Sequence, residues 1–119
     1  MMMNRIDFEE LPEFKRDVKA LERRFKSLSD DMNTLRTVLN DEPDEHPPFS
    51  FLIKGLGLTT CVIKVKKIAC KSLKGKGVQS GLRLIYAFFP FDRKIVLIEL
   101  YHKTDKANED RDRIFTHFQ

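Results

Sequence analysis

"SGLRLIYAFFPFDRKIVLIEL", residues 80–100, decides the fold. Two apolar runs rich in aromatic and β-branched residues flank "FDR", which predicts an antiparallel hairpin with strands over residues 81–90 and 94–102. Pro90 suits the end of the first strand, because proline cannot donate to a ladder. Arg83 is out of place in this setting. A buried cation is costly unless it is partnered, so Arg83 is expected either at an edge with its head in water or in a site that handles an anion. With a loop of about two to four residues, hairpin pairing sets Arg83 opposite a residue between Tyr101 and Lys103. Arg83, His102 and Lys103 then gather at the open end. A one-residue change of register reverses parity, so the sequence allows either His102 or Lys103 to share the face of Arg83.

The chain around this hairpin is 119 residues long, which predicts one domain over residues 1–119 with a single modest core. Its 41% hydrophobic and 34% charged residues describe a globular chain, and no apolar run reaches the length of a membrane span. The start, "MMMNRIDFEELPEF", lacks the basic and apolar regions of a signal peptide, so a cytoplasmic location is expected. Cys61 and Cys70 do not form a metal spacing and are expected to be reduced residues of the core or strands. His46, His102 and His117 are scattered, so neither a metal site nor a cofactor is expected.

Charge divides the chain. Residues 1–63 hold nine Lys/Arg against twelve Asp/Glu, whereas residues 64–119 hold thirteen against six. A basic half of this kind favours phosphate backbones or acidic protein partners.

Upstream, residues 4–8 alternate apolar and charged side chains as a short strand would. From Leu11 an apolar stripe continues through Phe14, Val18, Leu21, Phe25 and Leu28, which predicts a helix with Pro12 in its first turn. A second helix follows, with Ser29 as its cap and Met32, Leu35, Val38 and Leu39 as its apolar face. "DEPDEHPP" (41–48) is an acidic connector, and the glycines of "FSFLIKGLGL" (49–58) suggest a turn. Residues 60–69 alternate as a strand with Lys64 and Lys66 on one parity. "KSLKGKGVQS" (71–80) is a basic loop carrying Lys71, Lys74 and Lys76. Its glycines lack the strand-to-helix context of a phosphate loop. The tail predicts a short helix capped by Thr104 or Asp105, with Ile114, Phe115 and Phe118 apolar. These elements predict an α+β fold, with an N-terminal helical hairpin on one face of a small antiparallel sheet of three to four strands and a short C-terminal helix.

The ordered set "LKGKGVQSGLRLIYAFFPFDRKIVLIELYHKTDKANEDRDRI" resembles the C-terminal part of the RelE/ParE superfamily of type II toxin–antitoxin toxins. The matching residues are Gly81, Arg83 and Tyr86 on one strand and Ile95, Leu97, Ile98, Tyr101 and Lys103 on the next. The helical hairpin ahead of them extends the resemblance over nearly the whole chain. It implies a cognate antitoxin whose acidic or apolar residues cover the basic face. It further implies either cleavage of messenger RNA in the ribosomal A site, as in RelE-like members, or poisoning of DNA gyrase, as in ParE-like members. A RelE-fold protein that binds without catalysis is the third reading.

Cleavage by the RNA's own 2′-hydroxyl asks for a base, positive charge on the crowded phosphate and an acid for the leaving 5′-oxygen, and needs no metal where cations do the electrostatic work. By resemblance Arg83 contacts the scissile phosphate, Lys64 and Lys66 stand on the preceding strand, and Lys103 or Lys106 adds a cation. His102 is the acid–base candidate, with a reference pKa of about 6.5. Lys71, Lys74, Lys76 and Lys106 are the expected RNA-backbone contacts. One departure stands out: RelE-type nucleases carry a tyrosine in the C-terminal segment, whereas after Tyr101 this chain has none and Asp110 stands near that place.

Overall fold

The computed structural model describes residues 5–119. In chain order the elements are β1 (Asp7–Glu10), α1 (Pro12–Glu22), α2 (Leu28–Asp41), β2 (Ser50–Leu52), β3 (Cys61–Val65), β4 (Leu82–Phe89), β5 (Lys94–His102) and α3 (Arg111–Phe118). The strands form one five-stranded sheet in the order β1-β5-β4-β3-β2. β1 runs parallel to β5, and every other pairing is antiparallel. The fold is therefore α+β as expected, but the sheet is larger than three to four strands and is mixed.

The β4–β5 hairpin lies where its sequence places it. Phe89 pairs with Lys94 across a loop formed by residues 90–93, and unbroken pairing from there would bring Leu100 opposite Arg83. A β-bulge intervenes: Tyr86 pairs with Leu97 but Ile85 pairs with Glu99, leaving Ile98 as the extra residue. Arg83 therefore faces Tyr101, and Leu82 faces His102. The bulge also turns Ile98 and Glu99 to one side of the sheet while Leu97 and Leu100 stay on the other.

Several expected boundaries move. The first strand occupies Asp7–Glu10 rather than residues 4–8, and Asn4 lies outside the described residues. Its parallel partner is far along the chain, so no local turn announces it. α1 ends at Glu22, so Phe25 and Leu28 continue the apolar stripe through a tight turn, with Phe25 N–H bonded to Leu21 O and Leu28 N–H to Phe25 O. α2 starts at Leu28, which puts Ser29 inside the helix. Ser27 precedes it, but its hydroxyl bonds Asp31 Oδ2 at 2.6 Å instead of capping. The first turn is stabilised by Asp30 and Asp31 against the helix dipole. α3 is capped by Asp110, whose carboxylate accepts from Arg113 N–H at 3.0 Å. Thr104 and Asp105 lie in the turn before it, where Asp105 N–H bonds His102 O. β3 ends at Val65 rather than residue 69. The turn expected from the glycines of residues 49–58 is present, with Gly55 at φ +79° and Gly57 at φ +71°, but an unexpected strand, β2, precedes it.

Both sheet faces are covered, not one. On the first face Phe14, Leu21, Leu28, Leu35 and Leu39 of the helical hairpin region pack against Leu84, Tyr86 and Leu97. On the second, α3 lays Ile114 on Val62, Ile85, Ala87 and Ile98, with Ile53, Leu56 and Leu58 beside them. Ion pairs hold this second cover down. Arg113 Nη1 reaches Asp17 Oδ2 at 2.7 Å and Ile98 O at 2.8 Å, while Asp110 N–H bonds the buried Glu99. Cys61 and Cys70 are both free thiols, half-buried and buried. Tyr86 is fully buried and donates its hydroxyl to Pro43 O at 2.6 Å, tying the acidic connector to the sheet. Burial, then the nearby Asp44, pushes its pKa well above the ordinary tyrosine value, so it stays a donor. Tyr86→Phe orphans that carbonyl, and we expect a loss of about 1 kcal/mol in urea unfolding, with the transition slope unchanged.

Candidate functional site

The second face carries the basic residues because of strand parity. Phe51 of β2 pairs with Lys64 of β3, Lys64 with Ile85 of β4, and Ile85 with Glu99 of β5, so all four project to one side. Arg83 and Tyr101 project to that side as well. Lys103 extends the pattern beyond β5, where its N–H bonds Gly81 O at 2.8 Å. His102, paired with Leu82, stands on the opposite face.

At the open end of this face lies a cleft of about 310 Å³. Arg83, Lys66, Lys67 and Lys103 line it together with Phe51, Gln79 and Gly81. Among the described residues no carboxylate lines it. Arg83 is half-buried, and its Nη1 donates to Lys66 O at 3.1 Å and Leu82 O at 3.2 Å. Two neutral carbonyls orient the guanidinium without cancelling its charge. Four basic residues therefore line one concavity, an arrangement that concentrates anions.

Farther along the same face the cations are neutralised internally. Lys64 Nζ lies 3.0 Å from Glu109 Oε1, with side-chain exposures of 14% and 6%. Burial works against the Lys64 charge, but hydrogen bonding to Glu109 and the nearby Tyr101 oxygen together outweigh it and lift its pKa above the usual lysine value. Burial likewise opposes the Glu109 charge, and its backbone hydrogen bond and Lys64 overcome this, holding the carboxyl below its usual value. Lys106 Nζ sits 2.5 Å from Glu99 Oε2. The Tyr101 ring lies beside both ammonium groups, 6.0 Å from Lys64 and 5.3 Å from Lys106.

His102 is fully engaged elsewhere. Its Nε2 is 2.9 Å from Ser80 O, an acceptor only, so the ring proton sits on Nε2. Nδ1 accepts from the Thr104 N–H at 3.2 Å and lies 2.7 Å from the Thr104 hydroxyl. The ring stacks on Phe25 with centroids 5.6 Å apart. Gly81, at φ +90°, lies directly against it: a Cβ there would come within 2.6 Å of His102 Nε2. His102 thus fixes the backbone at residues 80–81, which forms one wall of the cleft.

The structure brings Arg83, Lys66 and Lys103 together and separates them from His102, Lys64 and Lys106. Lys71, Lys74 and Lys76 are exposed on the loop at residues 71–80 and do not line the cleft. Lys67, Phe51 and Gln79 are the cleft residues that sequence reasoning missed. Lys67 has the wrong parity for the face of Lys66 only if the strand continues, and β3 stops at Val65. Phe51 could not be placed because the three-residue strand that carries it, ahead of the glycine turn, was not foreseen. A larger groove of about 400 Å³ between α1 and α2 mixes Glu10 and Glu22 with Lys15, Lys19 and Arg36, so its charges offset. Among the described residues no cluster of metal-binding side chains occurs, and no helix is long and apolar enough to cross a membrane.

The mixed sheet with its helical hairpin on one face is RelE-like in fold. The chain is similar to one in the crystal structure of the archaeal RelE–RelB complex from Pyrococcus horikoshii OT3, with 14% identity, a TM-score of 0.57, and coverage of 85% of this chain and 98% of that one. No protein-family model matches the sequence, and no curated protein does.

Glu109→Gln leaves Lys64 largely buried without its counter-charge. We expect a loss on the order of 2–3 kcal/mol in urea unfolding, toward the low end of such effects because Lys64 keeps some water contact. The Glu109 pKa is depressed on folding, so its contribution is present above the ordinary carboxylate value of 4.5 and fades as pH falls through the folded-state value. The stability gap between wild type and Glu109→Gln should therefore narrow in acid.

Proposed function

We propose that this chain is the toxin of a type II toxin–antitoxin pair, that its cationic cleft grips an RNA backbone, and that it cleaves messenger RNA on the ribosome. The observation that carries this reading is the group of Arg83, Lys66, Lys67 and Lys103 around a cleft without a carboxylate, on a RelE-like fold. In the proposed reaction the 2′-oxygen attacks the adjacent phosphorus, a bond to phosphorus forms, and the bond to the 5′-oxygen breaks, leaving a cyclic phosphate. Arg83 meets the crowded phosphate, where charge develops. Lys66 or Lys103 gives a proton to the departing 5′-oxygen, and water at the open cleft takes the 2′-hydroxyl proton. His102 serves at one remove, by holding residues 80–81 in place.

The partner reading draws support from a second groove. It measures about 300 Å³, is lined mainly by apolar side chains including Leu35, Val38, Phe49 and Ile68, and shares Lys67 and Val78 with the cationic cleft. An antitoxin segment combining apolar and acidic residues suits the two together.

Expression of the chain should arrest growth and produce cut messages, and Arg83→Ala should abolish both. Lys103→Ala should weaken RNA binding and lower the slope of log affinity against log salt by about 0.7, the value for one lost phosphate contact on a single strand. Arrest with intact messages, a DNA-damage response and rescue by a resistant gyrase would replace the RNA reading with the gyrase one. Expression without any growth defect would leave a binding protein.

A further inference from the structure

The cationic cleft has an aromatic wall that charge alone does not explain. Phe51 stands at the centre of β2, held by its backbone pairing with Lys64, and its ring lines the cleft. Lys66 Nζ lies 5.3 Å from the ring centroid. Gln79, which carries a side-chain amide, also lines the cleft. A bare phosphate asks only for cations. An unpaired nucleotide asks for cations at its phosphate, an aromatic surface for its base and hydrogen-bonding groups for the base edge, and these three features meet in this cleft. A base inside a duplex has its faces covered by its neighbours and cannot use the ring.

We propose that Phe51 is a base-stacking platform and that the cleft selects an unpaired RNA nucleotide, with its phosphate toward Arg83 and Lys103 and its base on the Phe51 ring. The inference rests on the RNA reading above and names how that site prefers single strands. Placement on a strand suits this role, because a paired backbone holds the ring more firmly than a loop would.

The test measures fluorescence anisotropy with two probes, a single-stranded RNA oligomer and a ribose–phosphate oligomer of equal length without bases. Phe51→Leu should lose about tenfold in affinity for the RNA and keep its affinity for the base-free oligomer, as expected for the loss of one stacked base. Phe51→Tyr should bind both as wild type does, and Arg83→Ala should lose affinity for both. An equal loss on the two probes in Phe51→Leu, or no loss on either, overturns the platform while leaving the RNA reading intact. Failure of wild type to bind either probe overturns both. As a measurement that needs no variant, 2-aminopurine in the RNA should be quenched on binding to wild-type protein, and unchanged emission along the whole oligomer overturns the platform.

Discussion

One extra residue in β5 governs which side chains meet. Without the bulge at Ile98, Arg83 would face Leu100, and Tyr101 and Lys103 would belong to the opposite side of the sheet. With it, Tyr101 and Lys103 join Arg83, while Leu100 and His102 turn toward the face that carries the helical hairpin. The same step puts Glu99 beside Ile98 on the α3 side, where it receives Asp110 N–H and pairs with Lys106. A single offset therefore assembles the cationic open end, supplies the carboxylate that anchors the C-terminal segment, and commits His102 to a structural position.

The second face is divided by charge balance. Near its centre cations have carboxylates within reach: Lys64 has Glu109, Lys106 has Glu99, and Arg113 has Asp17. These pairs hold the segment from Lys103 to α3 against a sheet that would otherwise expose Val62, Ile85 and Ile98. Packing and pairing act together there, since Ile114 supplies the apolar contact and the partly buried ion pairs set the register of the segment. At the open end the same sheet offers cations without carboxylates.

The hairpin and the α+β class were legible because they rest on local signals: apolar runs, a turn between them, and a helical stripe with proline at its start. Tyr86 was legible as part of a pattern, although its role is to bind the Pro43 carbonyl from beneath the core. β1 was legible as a short alternation but with shifted bounds, since its parallel partner lies far along the chain, and β2 was missed because a strand limited to Ser50–Leu52 leaves little periodicity to detect. The site was legible in part. Arg83 announced itself as a cation in an apolar run, and Lys66 and Lys103 followed from the family resemblance. The separation of His102 from Arg83 depended on the bulge, and the pairing of Lys64 depended on where residue 109 returns, neither of which has a local signature.

The positive open end is a consequence of where the chain sends its acids. Asp105 lies two residues beyond Lys103 in sequence, yet the turn closed by Asp105 N–H on His102 O carries it to Arg24, just past α1, at 2.6 Å. Both partners of that pair are about half exposed, with side-chain accessibilities of 47%, so the contact adds little stability. Its effect is to keep a carboxylate out of the cleft. Arg83, meanwhile, is oriented by carbonyls that leave its charge intact, and three lysines stand around it in mutual repulsion. Such an arrangement does not help the chain to fold. An arriving phosphate would provide at the open end what Glu109 provides to Lys64, and the cleft is the part of this face whose charge is completed only from outside.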